Sequence, residues 1–291
     1  MEARKQLKER VKGNGPIVIA PGAFDCITAR LIEQAGFNAI YMTGAGTAAT
    51  FGFPDYGLLT MSEMVQNAGR IASSVTRPLI ADADTGYGNE LNVTRTVREY
   101  EKAGVSAIHI EDQDFPKRCG HLDNKMVIPA EDYVAKVRAA VAARRDPNFL
   151  LIARTDARAV TGFEDAVRRV NLALEAGADI AFVEAPATME EVAAIPRLVA
   201  GPCLLNLVWA GKTPDIAFAE AEELGFRIAI LPGMLLAGVI NVCDNLLKET
   251  RDAGRHAPLA PDMTVREMFR RMGAEDWDPL RERFRVSEAA E

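Results

Sequence analysis

The stretch E-K-A-G-V-S-A-I-H-I-E-D, Glu101–Asp112, decides how this chain folds. It reads as the end of a helix, a glycine at the position just past that end, then a short apolar strand that stops at carboxylates. The same pattern recurs as E-Q-A-G-F-N-A-I-Y-M-T-G (Glu33–Gly44), L-E-A-G-A-D-I-A-F-V-E-A-P (Leu174–Pro186) and E-E-L-G-F-R-I-A-I-L-P-G (Glu222–Gly233). Further apolar runs lie between the repeats, at Ile17–Ala20, Leu79–Ala81, Phe149–Ala153 and Cys203–Leu207, which makes eight strand candidates. They are near-continuous in apolar character rather than alternating, as strands of a buried parallel sheet are. Helical segments separate them; in Glu131–Arg145 the residues Val134, Val137 and Val141 share one face and Pro129 marks the start. Strand–helix alternation repeated eight times predicts a (β/α)8 TIM-type barrel, with a doubly wound open sheet as the runner-up.

Outward from the repeats, Met234–Leu247 is apolar nearly all round and is expected to be largely buried. Two polar-apolar segments, Thr264–Met272 and Asp276–Val286, read as extra helices, so the chain is expected to be one barrel domain over residues 1–291 with 251–291 as a C-terminal helical extension. At 291 residues, 48% hydrophobic and 26% charged, the composition suffices for one large core. A net charge of −7 argues against nucleic acid as a partner, since phosphate binding needs a concentrated basic face. The charged N-terminus M-E-A-R-K-Q-L-K-E-R has no apolar core of a signal peptide, and no run is long enough to cross a bilayer. The cysteines Cys26, Cys119, Cys203 and Cys243 lack paired spacing, which fits reduced thiols in the cytoplasm.

The polar residues at the strand ends carry the functional reading. In order they are Tyr41, Thr43 and Gly44, then Asp82 and Asp84, then Glu111 and Asp112, then Arg154 and Asp156, then Glu184, then Asn206. In a barrel these ends form one mouth, where the chemistry of the fold sits. A helix cap or turn role would account for any single one of them; it accounts poorly for five successive strands. Asp82 and Asp84 lie two apart and so project to the same side of a strand. With Glu111 they form an oxygen-rich, cysteine-free set suited to a hard cation such as Mg²⁺, which keeps several waters; a solvated acidic rim is the alternative. Arg154 suits a bidentate grip on a substrate carboxylate. Phe51–Gly57 and Asp84–Gly88 read as mobile loops, with Asp55 able to swing toward the site.

The segment between Glu111 and Pro129 is long for a strand-to-helix connection, and it carries P-K-R-C-G-H, Pro116–His121. Long loops over a barrel mouth often act as lids. Lys117, Arg118 and His121 are expected to lower the pKa of Cys119. Zinc finds no second ligand pair near this cysteine, given only His109, His121 and His256 in the chain. A Cys–His nucleophile would place base and nucleophile on one flexible loop, in poor mutual geometry. A thiol that gives or takes a proton as the lid closes fits best.

These motifs resemble the isocitrate lyase / phosphoenolpyruvate mutase superfamily, over nearly the full length. K-R-C-G-H at Lys117–His121 is similar to the lyase-branch signature K-[KR]-C-G-H; D-A-D-T-G-Y-G and A-R-T-D-A are similar to the metal and arginine segments; Y-M-T-G is similar to Y-x-S-G, with Thr43 in place of serine. The resemblance implies a (β/α)8 barrel assembled as a homotetramer, with the last barrel helix exchanged between subunits. It implies Asp84 as the direct Mg²⁺ ligand (Mn²⁺ substituting), with Asp55, Asp82 and Glu111 holding the ion through water. Tyr41, Thr43, Gly44, Ala45, Asp82, Gly120, Arg154, Glu184, Asn206 and Pro232 would surround a small carboxylate substrate. Cys119 would be the acid/base, with Lys117, His121 and Arg154 as its catalytic companions. The cysteine favours carbon–carbon cleavage of a 2-hydroxy dicarboxylate or tricarboxylate, of substituted malate or methylisocitrate type, into a 2-oxo acid and a carboxylic acid. Oxaloacetate hydrolysis or decarboxylation and phosphonopyruvate-type mutase or hydrolase chemistry are the alternatives on this fold, and a non-catalytic metabolite-binding barrel is the alternative outside it. One position departs from the pattern: in N-L-V-W-A-G-K-T-P, Asn206–Pro214, Trp209 stands where relatives usually carry a glutamate. A bulky indole in place of a carboxylate changes shape and charge together, and argues against strict methylisocitrate specificity.

Overall fold

In the computed structural model, which describes residues 2–13, 15–122 and 124–284, all eight expected strands form. β1 (Val18–Ala23), β2 (Ile40–Met42), β3 (Leu79–Asp82), β4 (Ala107–Glu111), β5 (Leu150–Thr155), β6 (Ile180–Val183), β7 (Cys203–Asn206) and β8 (Phe226–Leu231) pair in sequence order. Each neighbour is parallel, and β8 returns to β1 through Val18–Pro21 against Ile228–Leu231. The sheet is a closed barrel, not an open doubly wound one.

α1 (Glu2–Lys12) precedes the barrel. The helices between strands are α2 (Cys26–Gln34), α3 (Gly44–Thr50), α4 (Met61–Ser74), α5 (Glu90–Lys102), α6 (Ala130–Ala143), α7 (Phe163–Glu175), α8 (Met189–Leu198) and α9 (Phe218–Leu224). α10 (Met234–Ala253), α11 (Val265–Arg271) and α12 (Ala274–Arg283) follow; Val286, the expected end of the last segment, lies outside the described residues. Local chemistry starts and stops these helices. Asp25 with Thr28, and Thr60 with Glu63, form reciprocal caps that satisfy orphan amide donors of α2 and α4. The four repeat glycines, Gly36, Gly104, Gly177 and Gly225, all have φ between 87° and 106°, so each turns the chain from a helix into the next strand where a side chain would be strained.

Alternation along the strands sorts two buried layers. Val18, Tyr41, Ile80, Ala107, Ile152, Phe182, Leu204 and Ile230 fill the barrel interior, while their neighbours, such as Ile108, Val183 and Leu205, pack outward on helices. Leu7 and Val11 of α1 belong to the interior cluster, so this helix closes the amino-terminal end of the barrel. Arg227 on β8 donates to the carbonyls of Arg10, Val11 and Gly13, and Arg4 on α1 to that of Val105, which fixes the plug in place.

Two compact units divide the chain, the first ending at Ala237 and the second beginning at Gly238. The expected boundary at residue 251 falls inside the second unit because α10 runs unbroken past it. One expectation fails: no residue of α10 is buried, and Val239, Ile240, Val242 and Leu247 are exposed. A helix apolar on every side carries more apolar surface than its own chain covers here. No helix among the described residues is long and apolar enough to cross a membrane.

The plug yields a stability prediction. Leu7→Ala should cost about 2–5 kcal/mol of unfolding free energy in urea titrations, as for a core leucine, although it lies in the first helix. A cost under about 0.5 kcal/mol, typical of surface substitutions, would show that α1 is not part of the barrel core.

Candidate active site

Period-two alternation that fills the interior with apolar residues brings polar ones to its carboxyl-terminal rim. Tyr41, Asp82, His109, Glu111, Arg154, Glu184 and Asn206 are all buried there. Register sets the neighbours: Asp82 pairs beside His109 across β3 and β4, and Glu111 beside Arg154 across β4 and β5. Thr43 caps α3, its hydroxyl accepting from the Gly46 amide, and Ala45 lies in the same first turn. Pro232 follows β8, its carbonyl so close to Gly22 that a Cβ there would stand 2.4 Å from the oxygen.

Asp82 accepts the Asp84 amide at 2.9 Å and the Gly44 amide at 3.2 Å. Burial acts to raise its pKa, but His109, Lys117, Arg154 and the Asp84 amide outweigh it and hold Asp82 at about 2. Asp84 sits at φ +47, in the left-handed region, with its carbonyl taking the Glu111 amide at 2.9 Å. Burial, with Asp82 and Asp55 beside it, lifts Asp84 to about 6 against the pull of Lys117. Burial also lifts Glu111 well above the ordinary carboxyl range. Beneath them the Tyr41 hydroxyl lies 2.8 Å from His109 Nε2, and burial holds that imidazole at about 4, hence neutral.

These carboxylates fit a hard divalent cation. Asp84 Oδ1 and both Glu111 carboxylate oxygens are buried without a well-aligned hydrogen bond from any described residue, although Lys117 and Arg154 stand nearby. Oxygens desolvated in this way are costly unless a cation or ordered water meets them. No three described His, Cys, Asp or Glu side chains close into a complete protein cage.

The segment after β4 folds over this mouth. Lys117, buried, places its ammonium 2.6 Å from Asp55 and 2.8 Å from Asp84, so the two loops meet through one cation. Asp55 therefore does reach the site. Gly120 packs so closely that a Cβ would stand 2.5 Å from Arg154 Nη2 and 2.6 Å from the Glu184 carboxylate; only glycine fits between cysteine and histidine. His121 Nδ1 accepts the Lys212 amide at 3.0 Å, so the ring proton of the neutral form belongs on Nε2, which lies 3.0 Å from Glu184 Oε1. Nδ1 is thus taken by a main-chain amide, while Nε2 faces Glu184 without an aligned hydrogen bond. Glu184 is held below the ordinary range: burial opposes this, but Arg154, His121 and Lys125 prevail.

Cys119 is half-buried, and its pKa departs from the expectation that Lys117, Arg118 and His121 would lower it. Burial raises it, joined by the charges of Asp55 and Glu184, against the His121 amide and Arg154. The charge of Lys117 is spent on Asp55 and Asp84, and Arg118 is exposed. The thiol is thus protonated at neutral pH.

On the opposite side, Arg154 Nε reaches Asp156 at 2.9 Å and Glu111 at 3.2 Å, with its guanidinium 5.1 Å over the Phe182 ring. Asn206 donates to both oxygens of Glu184 at 3.2 Å. Trp209 does not join this set; it is 88% exposed on the loop after β7. Its neighbours Leu207, Val208 and Ile216, with Leu231 and Met234, line an apolar cavity of about 1240 Å³. Sequence reasoning passed over His109 and Lys125. The first was detectable, two residues before Glu111 on one strand; the second gave no local signal.

Residues 7–251 match the phosphoenolpyruvate phosphomutase family. The chain is 50% identical over 217 residues to 2,3-dimethylmalate lyase of Eubacterium barkeri, covering 74% of this chain and 75% of that one. It is 43% identical over 263 residues to 2-methylisocitrate lyase of Aeropyrum pernix, covering 90% and 85%. Among solved structures, oxaloacetate acetylhydrolase with 3,3-difluorooxalacetate superposes with a TM-score of 0.91 at 38% identity, covering 94% of each chain. Phosphonopyruvate hydrolase with oxalate and Mg²⁺ superposes with a TM-score of 0.88 at 32% identity, covering 98% and 99%.

The protonated thiol has a measurable signature. In metal-free protein, iodoacetamide should modify Cys119 more slowly at pH 7 than an ordinary cysteine, and the rate should rise about tenfold per pH unit through pH 9 as the thiolate forms. Peptide mass spectrometry reads the site; a rate already level below pH 8 would show a lowered pKa instead.

Proposed function

The chain belongs to the phosphoenolpyruvate mutase / isocitrate lyase superfamily, and from that premise we propose that it is a carbon–carbon lyase of 2-hydroxy dicarboxylates, with Cys119 as the acid that protonates the departing carbon. The observation that carries this reading is the protonated thiol on a segment folded into the mouth, beside Arg154 and Glu184. Phosphoryl transfer to an enolate needs no proton on carbon, whereas cleavage of a carbon–carbon bond does.

In the proposed reaction a 2-hydroxy acid passes its hydroxyl proton to an ionised carboxylate of the rim, the C2–C3 bond breaks as C2 becomes a carbonyl, and the bond's electron pair passes to C3 as the enolate of the leaving carboxylate. A bound Mg²⁺, or Mn²⁺ in its place, would supply positive charge for the developing oxyanion. Asp84 would hold it, with Asp82, Glu111 and Asp55 through water. Arg154, steadied by Asp156 and Phe182, and Asn206, steadied by Glu184, would bind substrate carboxylates together with the amide-rich turn at Thr43–Ala45. Lys117 draws the lid onto Asp55 and Asp84, excluding water from the carbanion, and the Cys119 thiol then delivers its proton. The likeness to 2,3-dimethylmalate lyase, and Trp209 in place of a carboxylate, favour a malate with small alkyl groups over methylisocitrate. Oxaloacetate cleavage is the second reading, favoured by the superposition on oxaloacetate acetylhydrolase.

We further propose a homotetramer in the cytoplasm. The uncovered α10 and the apolar cavity before it would be filled by helices exchanged between subunits, and the four free cysteines suit a reducing compartment.

Turnover of substituted malates, methylisocitrate and oxaloacetate, with product analysis, tests the reaction. A lyase releases a 2-oxo acid and an intact carboxylic acid; activity should vanish with EDTA and return with Mg²⁺. Cys119→Ser should lower kcat about 10²–10⁴-fold with KM largely kept, because a serine hydroxyl is too weak an acid. A serine variant within about threefold of wild type would remove Cys119 from the chemistry. Light scattering at micromolar concentration should give four times the 31.6 kDa chain mass; a monomer would refute the assembly.

A further inference from the structure

Lys125 is a cation buried in the mouth for which the proposed chemistry has no use. Its side chain is 1% exposed, and burying a lysine ammonium is costly unless it is paired and hydrogen-bonded. Both conditions hold. Nζ lies 2.8 Å from Asp156 Oδ1, and it donates to the Gly120 carbonyl. Gly120 follows Cys119 directly, so the ammonium grips the peptide that carries the thiol.

The other partner is shared. Asp156 accepts Arg154 Nε on Oδ2 at 2.9 Å and Nη2 on Oδ1 at 3.3 Å. Its own position is set from behind: its amide donates to Asp112 Oδ1 at 2.8 Å, and Asp112 Oδ2 is held by Thr155 Oγ1 at 2.6 Å and Arg169 at 3.2 Å. One carboxylate, backed by the barrel wall, therefore grips both Arg154 and the strut to the lid. Gly120 in turn rests on Arg154 and Glu184 with no room for a Cβ. Lys117 ties the lid down on the N-terminal side of Cys119, at Asp55 and Asp84; Lys125 ties it down on the C-terminal side. Gln113 holds the Arg118 backbone and the Lys212 amide holds His121, so the two lysines add charged ties to either side of a segment already seated by neutral ones.

We infer that Lys125 and Asp156 form a positioning strut, which holds the Gly120 carbonyl so that Cys119 and Arg154 keep a fixed relation when the lid is closed. The inference rests on the reading of Cys119 as proton donor for its effect on turnover, and on geometry alone for its effect on the lid.

The test is Lys125→Met, which keeps length and removes the ammonium; Asp156 stays paired with Arg154, and the mouth loses one positive charge. Iodoacetamide labelling of ligand-free protein at fixed pH, read peptide by peptide, should show Cys119 modified about tenfold faster, because the lid opens locally. Buried Cys203 on β7 serves as the internal control and should stay unmodified. Lys125→Arg, which restores the cation, should lie within about threefold of wild type in labelling. With substrate, kcat of Lys125→Met should fall about 10–100-fold and KM by less than that, as for a displaced catalytic group. Cys119 labelling within about twofold of wild type would overturn the strut, as would Cys119 and Cys203 rising together, which marks global loosening. Faster Cys119 labelling with unchanged kcat would support the strut and remove the reading of Cys119 as proton donor, so the two failures are distinguishable.

Discussion

A parallel barrel obliges the polar ends of its strands to meet. Asp82, Asp84, Glu111, Asp156 and Glu184 are buried on one rim, Asp55 reaches them from a loop, and the facing cations are Lys117, Lys125 and Arg154. Two like charges about 4 Å apart interact by about 4 kcal/mol at an effective dielectric of about 20, so carboxylates in excess of cations cannot be ignored. Two of the three cations arrive on the lid. Closing it brings positive charge to an anionic ring, and the same carboxylates that suit a divalent ion are those that hold the lid down. The lid is in this sense part of the electrostatic core.

Neighbouring charges, and to a lesser degree hydrogen bonds, divide otherwise similar carboxylates. Asp82 receives two amides and stays ionised; Asp84, two residues on, presents a buried oxygen with no aligned donor and titrates at about 6; Glu111 lies higher still. The first is engaged by main-chain amides, and the other two face the cations Lys117 and Arg154 without an aligned hydrogen bond. The same logic inverts the expectation for Cys119. Neighbouring cations in sequence are poor guides to a thiol when the fold turns those cations toward carboxylates and leaves the sulfur facing burial and negative charge. The thiol is then protonated at neutral pH where the neighbouring cations in the sequence suggested a lowered pKa.

The fold was legible because its signals are local. Gly36, Gly104, Gly177 and Gly225 announce a helix-to-strand turn in the sequence and adopt positive φ in the structure, and the strands after them are apolar on both faces. The rim was legible for the same reason, since strand ends can be read off in order. What escaped was whatever depends on pairing across distance. Lys125 meets Asp156 across 31 positions, and His121 meets the Lys212 amide across 91. Met234–Leu247 was misjudged as buried because apolarity in a sequence says that a surface is to be covered, not by which chain. Trp209 was singled out as a departure from the family pattern, and it stands exposed on the loop after β7, where it lines that loop's apolar cavity and not the polar rim.

That loop connects to the lid through His121, and the connection has a consequence for selectivity. The imidazole accepts the Lys212 amide on one nitrogen and faces Glu184 with the other, and a Cβ at Gly211 would stand 2.8 Å from its Nδ1. The lid therefore seats against the backbone of the β7 loop, not against side chains that could be exchanged freely. On the proposed reading, a substrate that displaced the loop would displace His121, and with it the peptide of Cys119 two residues before. Discrimination between substrates then need not come from a contact with the reacting end at all. On the lyase reading proposed above, bulk at the distal end would act on whether the lid can seat beside the thiol. The seating of the lid on the β7 loop runs through one histidine, which accepts a main-chain amide on Nδ1.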